Sequence, residues 1–355
     1  MPNTPQTFLI LGGGLAGTFM ATRLILANQK VILVDDEAPY GASRVAAGLF
    51  NVITGRFGAK TWLAETLLEE LSTFMQHPEL ASATNCIHHS LIYRPFKAVE
   101  EYNKWLGRAT EATYQDIVDF QESPLRPEKL HNELGGIMIK PCGWVDTTAL
   151  LKELRKILLT YPTLTYVKSS LAYEQIIPEE GRVKIKGETL SFDQWICCEG
   201  FKLGENPWFP EIPIIPNKGE VLLIEAPELQ LPFVLSRKIY LIPLGKHKYV
   251  VGATYQNKFE DKGPTEWGKE EIRCHLEKAI KVPYKIVAHY AGIRPTTPNR
   301  RPILGTHHTH KHIHVLGGFG TKGVLFAPYC SRLLTERLLG NGPNIPDEIK
   351  LERFY

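Results

Sequence analysis

The sequence predicts an α/β fold in which parallel strand and helix units flank a second domain that is built on an antiparallel sheet. Residues 8–34 run in the order strand, glycine turn, helix and strand, and residues 312–339 return to strand, turn and helix. Between these units, residues 209–290 alternate short apolar runs with Pro and Gly breaks. That alternation is typical of antiparallel strands.

The composition is that of an ordinary globular protein. A chain of 355 residues is long enough for two domains, and 43% hydrophobic with 22% charged residues indicates folding throughout. The 41 Lys and Arg exceed the 38 Asp and Glu by only three. This excess gives no support to a nucleic-acid or anionic-membrane partner, although it does not exclude RNA.

Targeting signals and disulfides are not expected. Residues 1–5 lack the basic region and apolar core of a signal peptide, and no apolar run approaches the roughly 20 residues that span a bilayer. The six cysteines are scattered without metal-ligand spacing, so we expect them to be reduced and mostly buried. The expected location is the cytoplasm.

The turn of the first unit carries a Gly-x-G-x-x-G pattern between a predicted strand and a predicted helix. Gly12 permits the tight turn, Gly14 lets a pyrophosphate approach the backbone, and Gly17 allows close packing of helix on strand. Asp35 follows Gly12 by 23 residues, close to the spacing of an acid that binds ribose hydroxyls. The alternative interpretation is a structural turn followed by a solvated Asp35–Asp36 pair.

Periodicity and breakers place the remaining elements. Predicted helices cover residues 15–28, 62–76, 99–106, 147–159, with Asp146 as the N-cap, and 324–339. Predicted strands cover residues 8–11, 31–34, 91–93, 165–168, 182–186, 195–198, 221–224, 238–242, 248–251 and 312–316. Residues 317–323 form a second glycine-rich turn before the last helix.

Four further segments, in this order, give the chain a specific resemblance. They are the small-residue stretch 41–48, residues 240–243 followed by 251–254, residues 292–298 running to 302–305, and the turn 317–323. On these segments the chain resembles the D-amino-acid oxidase superfamily of FAD-dependent oxidoreductases. That superfamily includes glycine oxidase, sarcosine oxidase and the flavin domain of the bifunctional tRNA methylaminomethyl-thiouridine enzyme.

The resemblance runs nearly end to end and implies two interleaved domains. Residues 1–83, 142–208 and 288–355 would form a Rossmann-like FAD-binding domain. Residues 84–141 and 209–287 would form the substrate domain, built on the antiparallel sheet.

The resemblance also implies FAD as the cofactor. Some relatives attach the flavin through Cys or His, but the matching stretches 41–48 and 292–298 contain neither, so we expect FAD to be bound non-covalently. The expected cofactor-binding residues are Gly12, Gly14, Leu15, Ala16, Gly17, Asp35, Asp36, Ser43, Arg44, Ala47, Gly48, Leu49, Leu171, Glu199, Gly200, Gly292, Gly318, Phe319, Gly320, Thr321 and Gly323.

Glu199 departs from the pattern of the relatives, which commonly carry a small residue there. An acid at this buried position needs a partner, and Arg44 is the partner that we expect.

Three residues are the candidates for catalysis. By the resemblance, Arg294 would hold a substrate carboxylate in a two-pronged contact, with a structural ion pair as the alternative. Tyr240 matches a pocket tyrosine, although a strand tyrosine can also be core or surface. Lys322 would bring positive charge to the reduced flavin, the alternative being an exposed lysine on a loop tip.

The implied reaction transfers a hydride from the carbon next to the substrate nitrogen to the flavin, and hydrolysis of the imine follows. The first hypothesis is an oxidase of a small amine or amino acid that uses oxygen. The alternatives are a tRNA wobble-uridine modifying flavoenzyme, a flavin dehydrogenase that uses another acceptor, and a catalytically silent FAD-binding protein.

A histidine-rich tract at residues 307–314 resembles a metal-binding sequence. It precedes the last predicted strand, where a hairpin turn suffices, and no Cys or carboxylate cluster accompanies it. We expect no metal site there.

Overall fold

A computed structural model describes residues 4–55, 58–342 and 344–355, so residues 1–3, which entered the signal-peptide expectation, lie outside it. The strands are β1 Thr7–Leu11, β2 Lys30–Asp35, β3 Leu49–Asn51, β4 Ile53–Thr54, β5 Ala59–Lys60, β6 Ile87–Pro95, β7 Val118–Gln121, β8 Gly136–Val145, β9 Leu164–Lys168, β10 Ile176–Ile177, β11 Arg182–Ile185, β12 Glu188–Ser191, β13 Gln194–Cys197, β14 Ile215–Glu225, β15 Val234–Ser236, β16 Tyr240–Gly245, β17 Lys248–Gly252, β18 Lys285–Thr296, β19 Ile303–Thr306 and β20 Ile313–Gly317. The α-helices are α1 Leu15–Leu26, α2 Ala42–Val45, α3 Ala64–Met75, α4 Val99–Arg108, α5 Thr147–Leu158, α6 Glu266–Glu277 and α7 Gly323–Leu338. Short 3-10 helices cover Pro78–Cys86, Tyr173–Gln175, Pro178–Glu180, Gly200–Glu205, Asp347–Ile349 and Leu351–Phe354.

Six strands form the first sheet, in the order β19, β20, β13, β1, β2 and β9. Their pairings are parallel except that of the edge strand β19 with β20. Successive side chains of a strand point to opposite faces. Phe8 and Ile10 of β1 accordingly pack with helices α1, α3, α5 and α7, whereas Leu9 and Leu11 pack with strands β10 and β11. Both faces are covered, which explains why these strands are nearly all apolar.

Nine strands form the second sheet, in the order β18, β14, β17, β16, β15, β6, β8 and β3, with β7 also paired to β8. The sheet is antiparallel except for the parallel pair β15 and β6. In the register of β14 with β18, Asn217 lies opposite Arg294 and Gly219 lies opposite Gly292. This pairing brings together side chains that are 77 positions apart in the sequence.

The predicted mixed α/β class is confirmed, and the predicted helices start and end within a few residues of the observed ones. In the second sheet, β6 and β14 are longer than predicted, and the long strands β8 and β18 were not predicted. The Asp146 side chain caps α5, because its Oδ1 accepts a hydrogen bond from the backbone N–H of Ala149 at 2.9 Å. Five of the six cysteines are buried, Cys274 is exposed, and all six are free. The division into domains at the stated boundaries stays a prediction.

The prediction for residues 209–290 was incomplete, because this stretch contains helix α6 as well as strands. The helix begins after Thr265, whose Oγ1 accepts a hydrogen bond from the backbone N–H of Gly268 at 3.1 Å. The segment 41–48 likewise holds the short helix α2. Among the described residues, no helix combines the length and apolar character that crossing a bilayer requires.

Candidate active site

A cavity of about 1720 Å³ is lined by residues of both sheets. We call the part around Gly12, Asp35 and Glu199 the turn end, and the part around Tyr240 and Arg294 the sheet end. Typical ligand pockets measure about 300–1,000 Å³. The cavity is therefore large enough for an extended cofactor and a second molecule.

The glycine turn at the turn end leaves no room for side chains. Gly12 has a φ of 95°, and a Cβ atom there would lie 2.4 Å from the carbonyl oxygen of Cys198. A Cβ atom on Gly17 would lie 1.8 Å from the carbonyl oxygen of Gly12. Helix α1 begins directly after this turn, and the Ser43 hydroxyl accepts a hydrogen bond from the backbone N–H of Leu15 at 3.0 Å. Such a helix N-terminus binds phosphate through its free N–H groups and its dipole.

Asp35 ends β2 and shares one carboxylate oxygen between two arginines. Its Oδ2 lies 2.5 Å from Arg44 Nη2 and 3.0 Å from Arg155 Nη2. Its Oδ1 accepts one longer hydrogen bond, from the backbone N–H of Glu37 at 3.3 Å. Oδ1 therefore keeps the capacity to accept a ribose hydroxyl, while the arginines hold the carboxylate in place.

The expected pairing of Glu199 with Arg44 was wrong. Glu199 Oε1 accepts a hydrogen bond from the Tyr173 hydroxyl at 2.7 Å, and Oε2 accepts one from Asn206 Nδ2 at 2.8 Å. Burial raises the pKa of Glu199, and these two hydrogen bonds partly oppose the shift. Neutral donors therefore satisfy Glu199, and Arg44 is bound to Asp35 instead.

The second glycine turn, residues 317–323, joins β20 to the N-terminus of α7. Gly320 has a φ of 52° and its backbone N–H donates to the carbonyl oxygen of Pro295 at 2.8 Å, which ties the turn to β18. Lys322 Nζ donates to the Thr61 hydroxyl at 2.9 Å. Burial, followed by the charge of Arg301, lowers the pKa of Lys322 to about 8. The lysine thus forms part of the cavity wall.

Arg294 projects into the cavity from β18 and contacts only neutral partners. Its Nη1 donates to Asn217 Oδ1 at 2.6 Å and to the carbonyl oxygen of Thr254 at 3.1 Å. Its guanidinium carbon lies 4.6 Å from the centre of the Tyr255 ring. Within the described part of the chain Arg294 makes no ion pair, and burial lowers its pKa. A charged guanidinium held in this way is available to an anionic ligand.

Strand β14 presents Asn217 and Gly219 on the face that is directed to Arg294, because successive side chains of a strand point to opposite faces. A Cβ atom on Gly219 would lie 2.0 Å from Arg294 Nη2, so only glycine leaves space for the guanidinium. The alternate residues Lys218 and Glu220 do not line the cavity; their side chains are fully buried, and Lys218 Nζ lies 3.2 Å from Glu220 Oε1. Glu220 also accepts hydrogen bonds from the backbone N–H and the hydroxyl of Thr265. This buried network fixes the strand that carries Asn217 and Gly219.

Tyr240 stands at the start of β16 and lines the sheet end of the cavity. Burial, followed by the nearby Tyr255, raises the pKa of Tyr240, and hydrogen bonds with Ser236 and Asn51 oppose the shift. The side chain is therefore a neutral hydroxyl over the ordinary pH range.

The structure brings most of the sequence-predicted residues to the cavity wall. Gly17 and Gly318 are the exceptions, since neither lines the cavity and each is confined by packing. The lining residues are Gly12, Gly14, Leu15, Ala16, Asp35, Asp36, Ser43, Arg44, Ala47, Gly48, Leu49, Leu171, Glu199, Gly200, Gly292, Phe319, Gly320, Thr321, Gly323, Tyr240, Arg294 and Lys322. Their individual roles stay predictions.

Sequence reasoning missed several residues that complete the site. Arg155 reaches Asp35 from α5, and Asn217 and Tyr255 contact Arg294 from distant parts of the chain. The sequence contains no signal for these contacts, because they depend on strand register and helix docking.

The histidine tract forms the turn of the β19–β20 hairpin. His307 Nδ1 accepts hydrogen bonds from the backbone N–H groups of Thr309 and His310, at 3.2 and 3.1 Å. Among the described residues, no group of three or more His, Cys, Asp or Glu side chains is arranged to hold a metal ion.

The turn end fits a dinucleotide cofactor. It offers a glycine turn that a Cβ atom would fill, a helix N-terminus for the pyrophosphate and a fixed carboxylate for ribose. From there the cavity continues to the turn 317–323 and to Arg294. An extended cofactor can therefore lie along it and leave the sheet end for a substrate.

Comparison with known proteins supports this assignment. The family model described as FAD dependent oxidoreductase matches residues 7–337. The glycine oxidase of Pseudomonas putida is 28% identical over 57% of this chain and 57% of its own length. The tRNA 5-methylaminomethyl-2-thiouridine biosynthesis bifunctional protein of Acinetobacter baylyi is 22% identical over 99% of this chain and 56% of its own length. The chain thus spans little more than half the length of these curated relatives.

Solved structures show the same fold at low identity. The glycine oxidase of Bacillus cereus aligns with a TM-score of 0.79 and 18% identity, covering 96% of both chains. The iminodiacetate oxidase of Chelativorans sp. BNC1 aligns with a TM-score of 0.78 and 20% identity, covering 98% of both chains.

Proposed function

Because this chain belongs to the family of FAD-dependent oxidoreductases and FAD is its cofactor, we propose that it oxidises the C–N bond of a small amine or amino acid bearing a carboxylate. The observation that carries the proposal is the buried guanidinium of Arg294. It faces a cavity that also contains the dinucleotide features, and its hydrogen-bond partners are neutral. The glycine oxidases among the relatives and the structural neighbours support the substrate class.

Bound FAD would accept the hydride that leaves the carbon next to the substrate nitrogen. The residues of the chain would bind and orient. Asp35 and the glycine turn would hold the cofactor, and Arg294 would fix the substrate carboxylate with two hydrogen bonds, so that the C–H bond is aligned for transfer. Asn217 and Tyr255 would hold the guanidinium in place before the substrate arrives.

Lys322 would contribute electrostatically. With a pKa of about 8, its Nζ carries a proton in neutral solution and adds positive charge at the N-terminus of α7. Positive charge on that wall would stabilise negative charge that develops in the reaction. A separate general base is not required when the substrate amine is neutral.

The test is anaerobic bleaching of the flavin absorbance with glycine, sarcosine, proline, D-amino acids and modified uridines. Truncating one partner of a buried charged contact costs about 2–5 kcal/mol, so R294A should lower kcat/KM for a carboxylated amine by a factor of about 30 or more. R294K, which keeps the charge but loses the two-pronged geometry, should fall between. R273A removes an exposed arginine of α6 and serves as the matched control.

Two results would contradict the proposal. One is bleaching by a carboxylated amine that R294A leaves unchanged. The other is bleaching by the modified uridines alone, which would favour the tRNA-modifying alternative, in keeping with the similarity to the thiouridine biosynthesis protein.

A further inference from the structure

The charges of the cavity wall are unevenly distributed. Among the residues that the structure describes, eleven Lys and Arg residues line the cavity, against four Asp and Glu residues, whereas the sequence as a whole has 41 of the former and 38 of the latter. The four acids are Asp35, Asp36, Glu199 and Glu205, all at the turn end. The described wall of the sheet end therefore contains cations and no carboxylate.

Four of these cations come together where β6 and β15 pair in the sheet. Arg94 belongs to β6 and Lys97 follows it, whereas Arg237 and Lys238 connect β15 to β16. Arg94 lies 3.0 Å from Glu101. Lys97, Arg237 and Lys238 make no ion pair with any described residue, and the two lysines are exposed.

These cations act on one another. Although Lys97 is exposed as a residue, desolvation of its charged group lowers its pKa; Glu101 opposes the shift, and Arg94, Arg237 and Lys238 lower the pKa further by repulsion. An anion bound among them would relieve that repulsion, because opposite charge within a few ångströms favours the protonated lysine.

The cationic cluster is well separated from Arg294. Arg294 lies on β18 and Arg94 on β6, five places apart in the order of the sheet. At about 4.8 Å per strand this is roughly 24 Å along the sheet, which is an upper limit, because twist and the reach of the side chains shorten the distance between the charged groups. The wall between them includes Ile92, Ile242 and Tyr240, which suits an uncharged connecting segment.

We propose that Lys97, Arg237 and Lys238 form a second anion-binding subsite, so that the substrate is an elongated amine with a second anionic group at its far end. This inference rests on the proposed function, in which Arg294 binds the carboxylate beside the reacting carbon. The distal group is a carboxylate or a phosphate, which share the charge and the oxygen acceptors that lysine and arginine bind. A nucleic acid is disfavoured, because it requires an extended basic face and the chain outside the cavity has more acids than cations.

The probes are saturated α,ω-dicarboxylates of increasing length, each compared with its monomethyl ester. They are titrated into the FAD-loaded oxidised protein, and binding is read from the change in flavin absorbance. We expect the long diacids to bind about tenfold tighter than their esters, as one additional charged contact allows. Short diacids should show no such advantage, and high ionic strength should reduce it for the long ones.

The variant K97A/K238A should abolish the advantage of the diacid and leave the affinity of the esters unchanged. The matched control is K152A/K184A, which removes two exposed lysines that do not line the cavity and should preserve the advantage. Phosphono-carboxylates of the same lengths identify the distal group, since tighter binding than the diacid assigns a phosphate and weaker binding a carboxylate.

The two proposals fail in different ways. R294A should weaken diacids and esters alike, and if it weakens neither, the proposed function fails whatever the lysines do. Equal affinity of diacid and ester at every length would overturn the second subsite. The second subsite would also be overturned if K97A/K238A kept the tighter binding of the long diacids and lost only the binding of a short RNA oligonucleotide.

Discussion

The two ends of the cavity hold their charges in opposite ways. At the turn end three acids have partners within the protein. Asp35 binds Arg44 and Arg155, and Asp36 binds Lys202 at 2.6 Å. Glu199 accepts hydrogen bonds from two neutral donors. At the sheet end Arg294 is held by uncharged oxygens, and so is Lys322 on the turn 317–323. The comparison shows how the two ends of one cavity can serve two functions, binding of the cofactor and binding of the substrate. Charges compensated within the protein give a fixed surface for a cofactor, whereas uncompensated cations favour an anionic substrate.

The largest expected effect comes from removing compensation at the turn end. D35N deletes the charge that two partly buried arginines share, and we expect a cost of about 2 kcal/mol of unfolding free energy, because Arg44 loses its acidic partner whereas Arg155 keeps Glu37. FAD affinity should fall as well. Urea unfolding of the apoprotein and titration with FAD measure the two effects.

D36N is the control for that comparison. Asp36 pairs with a single lysine and its side chain is 29% exposed, so its loss should cost well under 1 kcal/mol, as is usual for exposed pairs. Equal destabilisation by D36N and D35N would show that the paired turn end is not what stabilises this part of the fold.

The next effect comes from adding compensation at the sheet end. N217D would place a carboxylate where Asn217 now accepts from Arg294, and the new pair would compete with a bound anion. We expect the affinity for carboxylate probes to fall by about 2 kcal/mol, roughly 30-fold, while the unfolding free energy stays within about 1 kcal/mol. Flavin absorbance titrations and urea unfolding give both numbers.

N257D tests how the effect on anion affinity depends on the distance between the new carboxylate and Arg294. Asn257 hydrogen-bonds to Asn217 at 2.6 Å and is exposed, so a carboxylate there stands one residue further from the guanidinium and is better screened. Its effect should be several-fold smaller. Unchanged anion affinity in N217D would mean that Arg294 does not bind the anion.

The smallest effect is a pH dependence at Lys322. Its pKa of about 8 lies below the ordinary value of 10.5, so its charge is lost as the pH rises through about 8. The affinity for carboxylate probes should decline by a few-fold over that range. K322R, which keeps its charge, should remove the step.

The sign for stability is the reverse. Below pH 8 both folded and unfolded chains carry the proton, and the folded chain bears the cost of a buried charge. Between about pH 8 and 10.5 the unfolded chain binds more protons, so the contribution of Lys322 to the unfolding free energy becomes more favourable. The measurement is the unfolding free energy of the apoprotein over that interval, for the wild type and for K322M. A decline in the wild type that is absent in K322M would contradict the lowered pKa of Lys322.

Local patterns in the sequence predicted the parts of the fold that depend on local physics. The glycine turn, the strands beside it and the Asp146 cap were found because their residues determine backbone conformation within one turn of chain. The resemblance then ordered the distant segments around FAD, and it identified Arg294 as a wall residue.

Contacts that depend on docking were beyond reach. Glu199 was assigned the wrong partner because Tyr173 begins one 3-10 segment and Asn206 follows another, and only the packed sheet determines where these segments lie. Helix α6 was missed because its sequence is mostly polar, and its few buried side chains, such as Ile272 and Leu276, pack on one side of the second sheet. Asn217 meets Arg294 only through the register of β14 with β18.

Gly219 carries a consequence for how this sequence can diverge. A side chain at that position would occupy the space of the Arg294 guanidinium, so a larger residue there requires the guanidinium to leave its present position. Mutational order is therefore biased: a side chain at position 219 is expected to displace the guanidinium while Arg294 is present, and to meet no such obstacle once a smaller residue has replaced the arginine. In a lineage that loses the arginine, the restriction on position 219 disappears, and reversion becomes difficult once a larger residue has settled there.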